Sequence, residues 1–339
     1  MKRRSIEFVE AYNAQLITEE VPEPKGNEVV IKLAVSTISS GTEGANLVGN
    51  PSVWASRKCD TVAHFPRRCG YSSSGRVVEA GSDAKNLKVG DRVAAFWTTH
   101  SEYCVIPENK AIKIDDNVSF NEASLWHIAT FPMAAIRKCR LEMGESAIVM
   151  GQGVLGLMAV KLLVASGAAP VIAVDPLPEK RELALKTGAD FAFDPFDKDF
   201  EKNVRTACGG GVKVAIEVTG NGKALDMVLD CMAPLGRVSL LGCTRESDFT
   251  IDYYKKVHDP GISLIGAHTM ARPDIESSPG LWTTYDDMVA ISKLVKYGRL
   301  EFSSLIAEIH SPEEAHEVFT RLANEKAFPV VQFDWSRLG

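Results

Sequence analysis

Apolar residues alternate with small or polar ones early in the chain. Between Glu28 and Ile38, the positions Val30, Leu33, Val35 and Ile38 are apolar, the pattern of a half-buried strand. Further short apolar runs, Arg76–Val78, Arg92–Phe96 and Tyr103–Ile106, are punctuated by Gly75, Ala80-Gly81, Gly90-Asp91 and Pro107. Short strands separated by turn residues predict a β barrel or sandwich over residues 1 to about 122.

The pattern then changes. Ala147–Met150 reads as an apolar strand and Leu155–Ser166 as a helix with Leu155, Met158, Leu162 and Ala165 on one face. A strand at Val171–Val174, a charged helix at Glu179–Lys186 and a strand at Phe191–Phe193 follow. Phe200–Ala207 is helical, Val214–Val218 a strand, Ala224–Met232 helical, and Arg237–Leu241 and Ile262–Ile265 are strands. Strands alternating with helices at this spacing predict an α/β fold with a doubly wound parallel sheet. Helices at Tyr285–Lys296 and Pro312–Asn324 and a strand at Pro329–Phe333 are expected to return to the first domain.

Gly151-Gln152-Gly153-Val154-Leu155-Gly156 lies between a predicted strand and a predicted helix. Gly151 suits the tight turn, Gly153 lets backbone approach a diphosphate, and Gly156 lets helix and strand pack closely. The helix N-terminus adds unpaired N–H groups and partial positive charge. Asp175 ends the next strand, where a carboxylate accepts hydrogen bonds from a ribose 2′-hydroxyl and repels a 2′-phosphate. NAD is therefore expected in preference to NADP. Lys180 is within reach of the adenosine ribose or is a solvated helix charge.

The 339 residues suit two domains, and the net charge of −6 argues against nucleic acid and gives no support for an anionic membrane surface. No apolar run has the length of a membrane span, and Glu7 and Glu10 interrupt any apolar leader. The seven cysteines show no Cys-x-x-Cys spacing, which fits a reducing cytoplasmic setting. His64, His100 and His268 show no metal-site spacing.

Several segments together resemble the medium-chain dehydrogenase/reductase family, the zinc alcohol and polyol dehydrogenases. They are Pro22–Ile31, Ser39-Ser40-Gly41-Thr42-Glu43, Cys69–Gly75, Val89-Gly90-Asp91-Arg92-Val93, the glycine loop and Gly188-Ala189-Asp190. The resemblance implies a GroES-like substrate domain (1–127 and 270–339) around a Rossmann NAD-binding domain (128–269), with the active site in the cleft. It places Thr130 near the nicotinamide, Leu155 under its ring, Leu241-Gly242 and Leu264-Ile265 along its carboxamide, and Thr219 on the adenine side. The family's catalytic zinc positions fall on Ser40, Tyr71 and Trp126. None is a good zinc ligand, and only Cys104 lies where the family carries a four-cysteine lobe. The expectation is accordingly a zinc-independent enzyme with no metal residues.

In that setting Tyr71 would donate a hydrogen bond in the cleft, or is a packed core tyrosine. Ser40 and Thr42 lie on the loop that floors the cleft, and Thr42 aligns with a proton-relaying hydroxyl; both also suit turn-stabilising roles. His127 is a relay or, preferably, a packing residue, and Glu43 is expected to pair with an Arg or Lys. His268 lies close to where the family's nicotinamide sits. Loops Val48–Arg68 and Thr269–Trp282 would shape the pocket. The leading expectation is NAD(H)-dependent oxidation of a secondary alcohol, polyol or sugar-like substrate, or reduction of its ketone. A zinc-free quinone or enone reductase and a non-catalytic NAD-binding protein remain alternatives. A small-molecule substrate and a homodimer or homotetramer are the expected partners.

Overall fold

The computed structural model describes residues 1–53, 64–244 and 249–339, and the chain forms two compact units, 1–128 with 288–339 and 129–287. The first unit opens with a hairpin, β1 (Lys2–Glu10) and β2 (Asn13–Glu20), that the apolar pattern does not signal. Its outer face is held by charge instead: Arg3 Nε lies 3.0 Å from Glu19, and Arg68 reaches both Glu7 and Glu19. β3 (Glu28–Thr37) forms where the apolar pattern predicts a strand, but it is buried along nearly its whole length rather than on one face, and it runs into a short helix, α1 (Ser40–Leu47). Then come β4 (Arg67–Arg68), β5 (Ser72–Ala80), β6 (Arg92–Phe96), β7 (Tyr103–Pro107), β8 (Ala111–Lys113) and the one-turn helix α2 (Phe120–Ala123). β3 pairs antiparallel with both β5 and β7, which makes it the centre of the unit. Val29, Ile31, Leu33, Val77, Val93 and Ala95 fill the core with Ile6, Phe8, Phe319 and Phe333.

The helix α3 (Trp126–Lys138) carries the chain across the junction of the two units. Its internal Pro132 removes one intrahelical donor and hides it from a periodicity search. The second unit continues with β9 (Ala147–Met150), α4 (Val154–Ala165), β10 (Val171–Val174), α5 (Pro178–Thr187) and β11 (Phe191–Phe193). It is completed by α6 (Phe200–Ala207), β12 (Val212–Glu217), α7 (Gly222–Asp230), β13 (Met232–Leu240) and β14 (Ser263–Gly266). All five strand pairings are parallel, and the order is β11-β10-β9-β12-β13-β14. The direction of winding reverses between β9 and β12, and the crevice beyond their carboxyl ends is where such sheets take ligands. Residues 270–287 stay with this unit. Buried Asp287 accepts Arg137 Nε at 2.8 Å and faces Arg272 at 3.2 Å, and Arg272 also donates to the Thr130 carbonyl at 2.8 Å.

α8 (Thr284–Lys296) leads back to the first unit, where β15 (Ile306–His310), α9 (Ala315–Asn324) and β16 (Val330–Asp334) follow. β16 joins β3 antiparallel, which closes the sheet order β15-β16-β3-β5-β6-β8. Among the described residues no helix is long and apolar enough to cross a membrane.

One surface cluster has a definite pH dependence. Hydrogen bonds from Arg321 hold the Glu308 carboxyl down at about 2. Burial opposes charge on His310, but the Glu308 and Glu314 carboxylates outweigh it and raise its pKa. The Glu308 contribution is present above its ordinary value and fades as pH falls towards about 2. The His310 contribution is present below its ordinary value of 6.5 and is lost as pH rises through the raised one. His310→Gln is therefore expected to destabilise the chain near pH 5 and to make little difference at pH 9, as urea unfolding at the two pH values will show.

Candidate functional site

In the second unit the site grows from the turn after β9. Gly151 takes a φ of 97°, and a Cβ there would meet Thr219 Cγ2 at 2.8 Å. Gly153 is the N-cap of α4 and supplies no side-chain cap, so the first N–H groups of that helix stay available to a ligand. A Cβ on Gly153 would meet nothing within 4 Å, whereas one on Gly156 would lie 1.9 Å from the Gly151 carbonyl oxygen. Open space thus lies on the diphosphate side, and helix and turn touch on the other. Leu155 is half-buried in the first turn of α4.

Asp175 binds this turn directly. Its Oδ2 accepts the Gln152 N–H at 2.8 Å and its Oδ1 accepts the Leu177 N–H at 2.9 Å. Each carboxylate oxygen keeps a further acceptor position, which suits a vicinal diol of a ribose. Burial lowers the pKa of Lys180, against the raising influence of Asp175 and Glu179. Gln152 turns inward and donates to the Val149 carbonyl at 2.9 Å.

A residue that the pattern did not single out, Glu217, organises the far wall. It ends β12, opposite Met150 and Leu240, and accepts the N–H groups of Thr219 at 2.7 Å and Gly220 at 3.1 Å as well as the Thr219 hydroxyl. Burial raises its pKa, with these hydrogen bonds opposing. Gly242 packs so closely on that turn that a Cβ would meet Gly220 N at 2.2 Å. The structure therefore brings Gly151, Gly153, Gly156, Asp175, Thr219 and Gly242 around the ends of β9, β10, β12 and β13. Thr130 is fully buried on α3, with its carbonyl held by Arg272. His268 is exposed and accepts the Met270 N–H at 3.2 Å.

In the first unit, a cavity of about 160 Å³ is lined by Thr42, Glu43, Asn46, Arg68, Cys69, Gly70, Tyr71, Trp97 and Thr98. Residues 54–63 of the predicted Val48–Arg68 loop lie outside the described residues. Tyr71 donates its hydroxyl proton to Ser39 Oγ. The Tyr71 carbonyl accepts the Trp97 N–H at 2.9 Å and His127 Nδ1–H at 2.6 Å, which fixes its backbone. His127 is fully buried and packs edge-on against Trp97, with ring centroids 4.7 Å apart. Ser40 is half-buried at the first position of α1, and Thr42 is half-buried one residue before Glu43. Trp126 is fully buried, and its indole N–H donates to Glu122 at 3.1 Å.

Glu43 pairs with a histidine, not with the expected Arg or Lys. Its Oε2 lies 2.9 Å from His100 Nε2, and its Oε1 accepts the Ser39 N–H at 2.8 Å. His100 Nδ1 meets Ser36 Oγ at 2.7 Å, and that oxygen also accepts Trp335 Nε1–H at 2.9 Å. The His100 N–H donates to the Cys69 carbonyl at 2.9 Å, and the ring occupies the space a side chain on Gly70 would need. Cys69 completes the group: burial raises its thiol pKa well above the ordinary value, and Glu43 adds to the effect. The ligating atoms of Glu43, Cys69 and His100 lie within 4.8 Å of one another, and all three residues are buried.

Carboxylate, thiolate and imidazole are all zinc ligands, and tetrahedral coordination needs donor separations of roughly 3.3–3.7 Å. A small adjustment of this cluster meets that need, with Ser36 holding the histidine ring from behind, as partners of ligating imidazoles do.

Comparison with known proteins agrees with the two units. The model of the alcohol dehydrogenase GroES-like domain matches residues 25–120, and that of the zinc-binding dehydrogenases matches residues 154–281. The chain is similar to L-threonine 3-dehydrogenase of Pyrococcus horikoshii, at 29% identity over 335 residues and 90% of each chain. It is similar to (R,R)-butanediol dehydrogenase of Bacillus subtilis, at 29% identity over 231 residues, 60% of this chain and 67% of the relative. Its fold is shared with a crystal structure described as a short chain alcohol dehydrogenase from Escherichia coli CFT073 in complex with NADH. The TM-score there is 0.83, with 18% identity and coverage of 98% and 99% of the two chains.

These findings correct the expectation of a zinc-independent enzyme without metal residues. The chain matches a zinc-binding dehydrogenase model, and Glu43, Cys69 and His100 offer a donor set that the positions of Ser40, Tyr71 and Trp126 do not. No sequence spacing announces this cluster, because α1, the end of β4 and the loop after β6 contribute one residue each.

Proposed function

Because this chain belongs to the medium-chain dehydrogenase/reductase family, among the zinc-type alcohol dehydrogenases, and is an NAD(P)-dependent dehydrogenase, we propose that it interconverts a small secondary alcohol of the polyol class and its ketone with NAD(H) as coenzyme. The observation that carries the coenzyme reading is the bond between Asp175 and the Gln152 N–H, which sets a ribose-binding carboxylate beside the diphosphate turn. The first turn of α4 holds the diphosphate through backbone N–H groups. Asp175 accepts the ribose hydroxyls and disfavours a 2′-phosphate. Gly242 and Thr219 shape the far wall, and Leu155 and Thr130 support the nicotinamide side. Bound nicotinamide coenzyme supplies or accepts the hydride.

Glu43, Cys69 and His100 would hold zinc, which when bound supplies a Lewis-acidic positive charge. The cavity beside them suits a short polyhydroxylated substrate: Trp97 and Tyr71 offer apolar faces, and Thr42, Asn46 and Thr98 offer hydroxyl and amide groups. The relatives that act on threonine and butanediol support a substrate with a secondary hydroxyl group. The domains are proposed as a substrate domain over 1–128 and 288–339 and a coenzyme domain over 129–287, the bounds at which the two units divide.

The test is a panel of diols, polyols, sugars and hydroxy acids with NAD⁺, followed at 340 nm, on protein of measured zinc content. At least one short polyol is expected to turn over with NAD⁺ in preference to NADP⁺, and removal of zinc is expected to reduce the rate. Absence of turnover with every compound would defeat the proposal. The position of β14 at the edge of the parallel sheet further supports a dimer, which light scattering would report as twice the chain mass of 36.9 kDa.

A further inference from the structure

We infer that Glu217 is a positioning residue for the nicotinamide half of the coenzyme, because it ties the turn after β12 to the segment after β13. The inference rests on the dehydrogenase reading above and deepens it.

The sheet order β11-β10-β9-β12-β13-β14 is that of two mononucleotide-binding halves side by side. β9, β10 and β11 form the adenosine half, where Asp175 stands, and β12, β13 and β14 form the nicotinamide half. Glu217 ends the first strand of this second half. Its backbone carbonyl accepts the Leu241 N–H at 2.9 Å and the Gly242 N–H at 2.8 Å, both from the segment after β13. Its side chain holds the turn after β12. Oε1 accepts the Thr219 N–H at 2.7 Å and the Thr219 hydroxyl, and Oε2 accepts the Gly220 N–H at 3.1 Å. The two segments also meet each other. Thr244 donates its hydroxyl to the Gly220 carbonyl at 2.8 Å, and Gly242 packs on Gly220 too closely for a side chain. On its other flank the turn touches the diphosphate loop, because Thr219 Cγ2 fills the place a side chain on Gly151 would take.

This arrangement costs stability. Glu217 is only 3% exposed, and besides burial only hydrogen bonds from Thr219 and Gly220 act on its pKa, with no cation among them. Burial outweighs those bonds and raises the pKa. Stability tied to the neutral carboxyl is thus present below its ordinary value of 4.5 and is lost as pH rises through the raised one. The turn does not need a buried acid to be satisfied. Thr219 is exposed and Gly220 half-buried, so water can take their N–H groups. What the carboxylate supplies, and water does not, is a fixed place for them. Such a trade of stability for geometry is expected where a ligand binds.

Glutamine separates the two contacts. The carbonyl oxygen of Glu217→Gln can keep both Thr219 bonds, but its NH₂ group then faces the Gly220 N–H and that bond is lost. The loss falls on the junction with the 241–244 segment and spares the contact of Thr219 with Gly151.

The test is calorimetric titration of NADH, and of ADP-ribose, which carries the adenosine and diphosphate but no nicotinamide, into the full zinc-loaded chain. Glu217→Gln should weaken NADH about tenfold and ADP-ribose by no more than about twofold, the first being the size of one lost hydrogen bond to a charged group. Its urea midpoint near neutral pH should be no lower than that of wild type. Thr244→Val breaks the same junction from an exposed position and should weaken NADH about threefold, with less than additive loss when combined with Glu217→Gln. Wild-type NADH affinity in both single variants would overturn the inference and leave the dehydrogenase reading standing. Equal losses of NADH and ADP-ribose, or a Glu217→Gln chain that fails to fold, would do the same, because Glu217 would then be merely structural. A wild-type chain that binds neither NADH nor ADP-ribose would remove that reading, and this inference with it.

Discussion

Gly156→Ala is expected to abolish measurable NADH binding while the first unit stays folded. The added methyl carbon would lie 1.9 Å from the Gly151 carbonyl oxygen and 2.9 Å from its carbonyl carbon. Both contacts are to backbone, so no side chain can rotate away. Either α4 retreats from β9 or the turn opens, and the helix N-terminus leaves the diphosphate in both cases. Overpacking of this kind costs about 1–3 kcal/mol in an ordinary core, and here the distortion falls on the binding groups themselves. Fluorescence titration should show at least about 100-fold weaker binding, the equivalent of about 2.7 kcal/mol. Gly153→Ala is the instructive comparison. Open space surrounds that position, and its backbone φ of −77° suits alanine. Its methyl group meets only the incoming coenzyme, so the loss should be smaller and should leave stability unchanged.

His100→Ala is expected to bring zinc from about one per chain to below a tenth, and to destabilise the first unit. The imidazole is fully buried and stands 2.9 Å from a buried carboxylate. Its loss leaves the Glu43 carboxyl group facing a void, and leaving a buried hydrogen-bonding group without its partner costs about 1–3 kcal/mol. The two consequences can be separated. Adding Glu43→Gln to His100→Ala removes the uncompensated carboxylate and should recover part of the stability, but no zinc. Metal analysis and urea unfolding of the two variants will check this. Full zinc occupancy in His100→Ala would exclude the cluster as the metal site.

What the sequence revealed and what it hid divide along a physical line. The Gly151 turn and the strands and helices around it were legible because their signals are local: a glycine turn, an apolar strand before it, a helix after it. Asp175 directly follows β10, as its distance along the chain predicts, but its bond to the Gln152 N–H has no local signal. Glu217 stayed hidden because a single acid at the end of an apolar strand has no pattern. The Glu43, Cys69 and His100 cluster stayed hidden for a different reason. His100 and Glu43 stand 57 residues apart and meet only after β3, β5 and β6 have paired. Their absence from the expected ligand positions led to a zinc-free expectation that the assembled unit overturns. Ser39 and Ser40 are adjacent, and only the fold shows which of the two faces Tyr71. Helix α3 was obscured by Pro132, and the β1–β2 hairpin by its high content of Arg and Glu, whose cross-strand pairs replace the apolar alternation on the outer face.

The most direct test is calorimetric titration of NADH and NADPH into the wild-type chain and into Asp175→Ser. One NADH site per chain is predicted, with NADPH far weaker. Hydrogen bonds to a charged group contribute about 1.5–3 kcal/mol, so Asp175→Ser should weaken NADH by roughly 10–100-fold and narrow the gap to NADPH. A wild-type chain that binds neither dinucleotide, or a variant that binds NADH as tightly as wild type, would contradict the account.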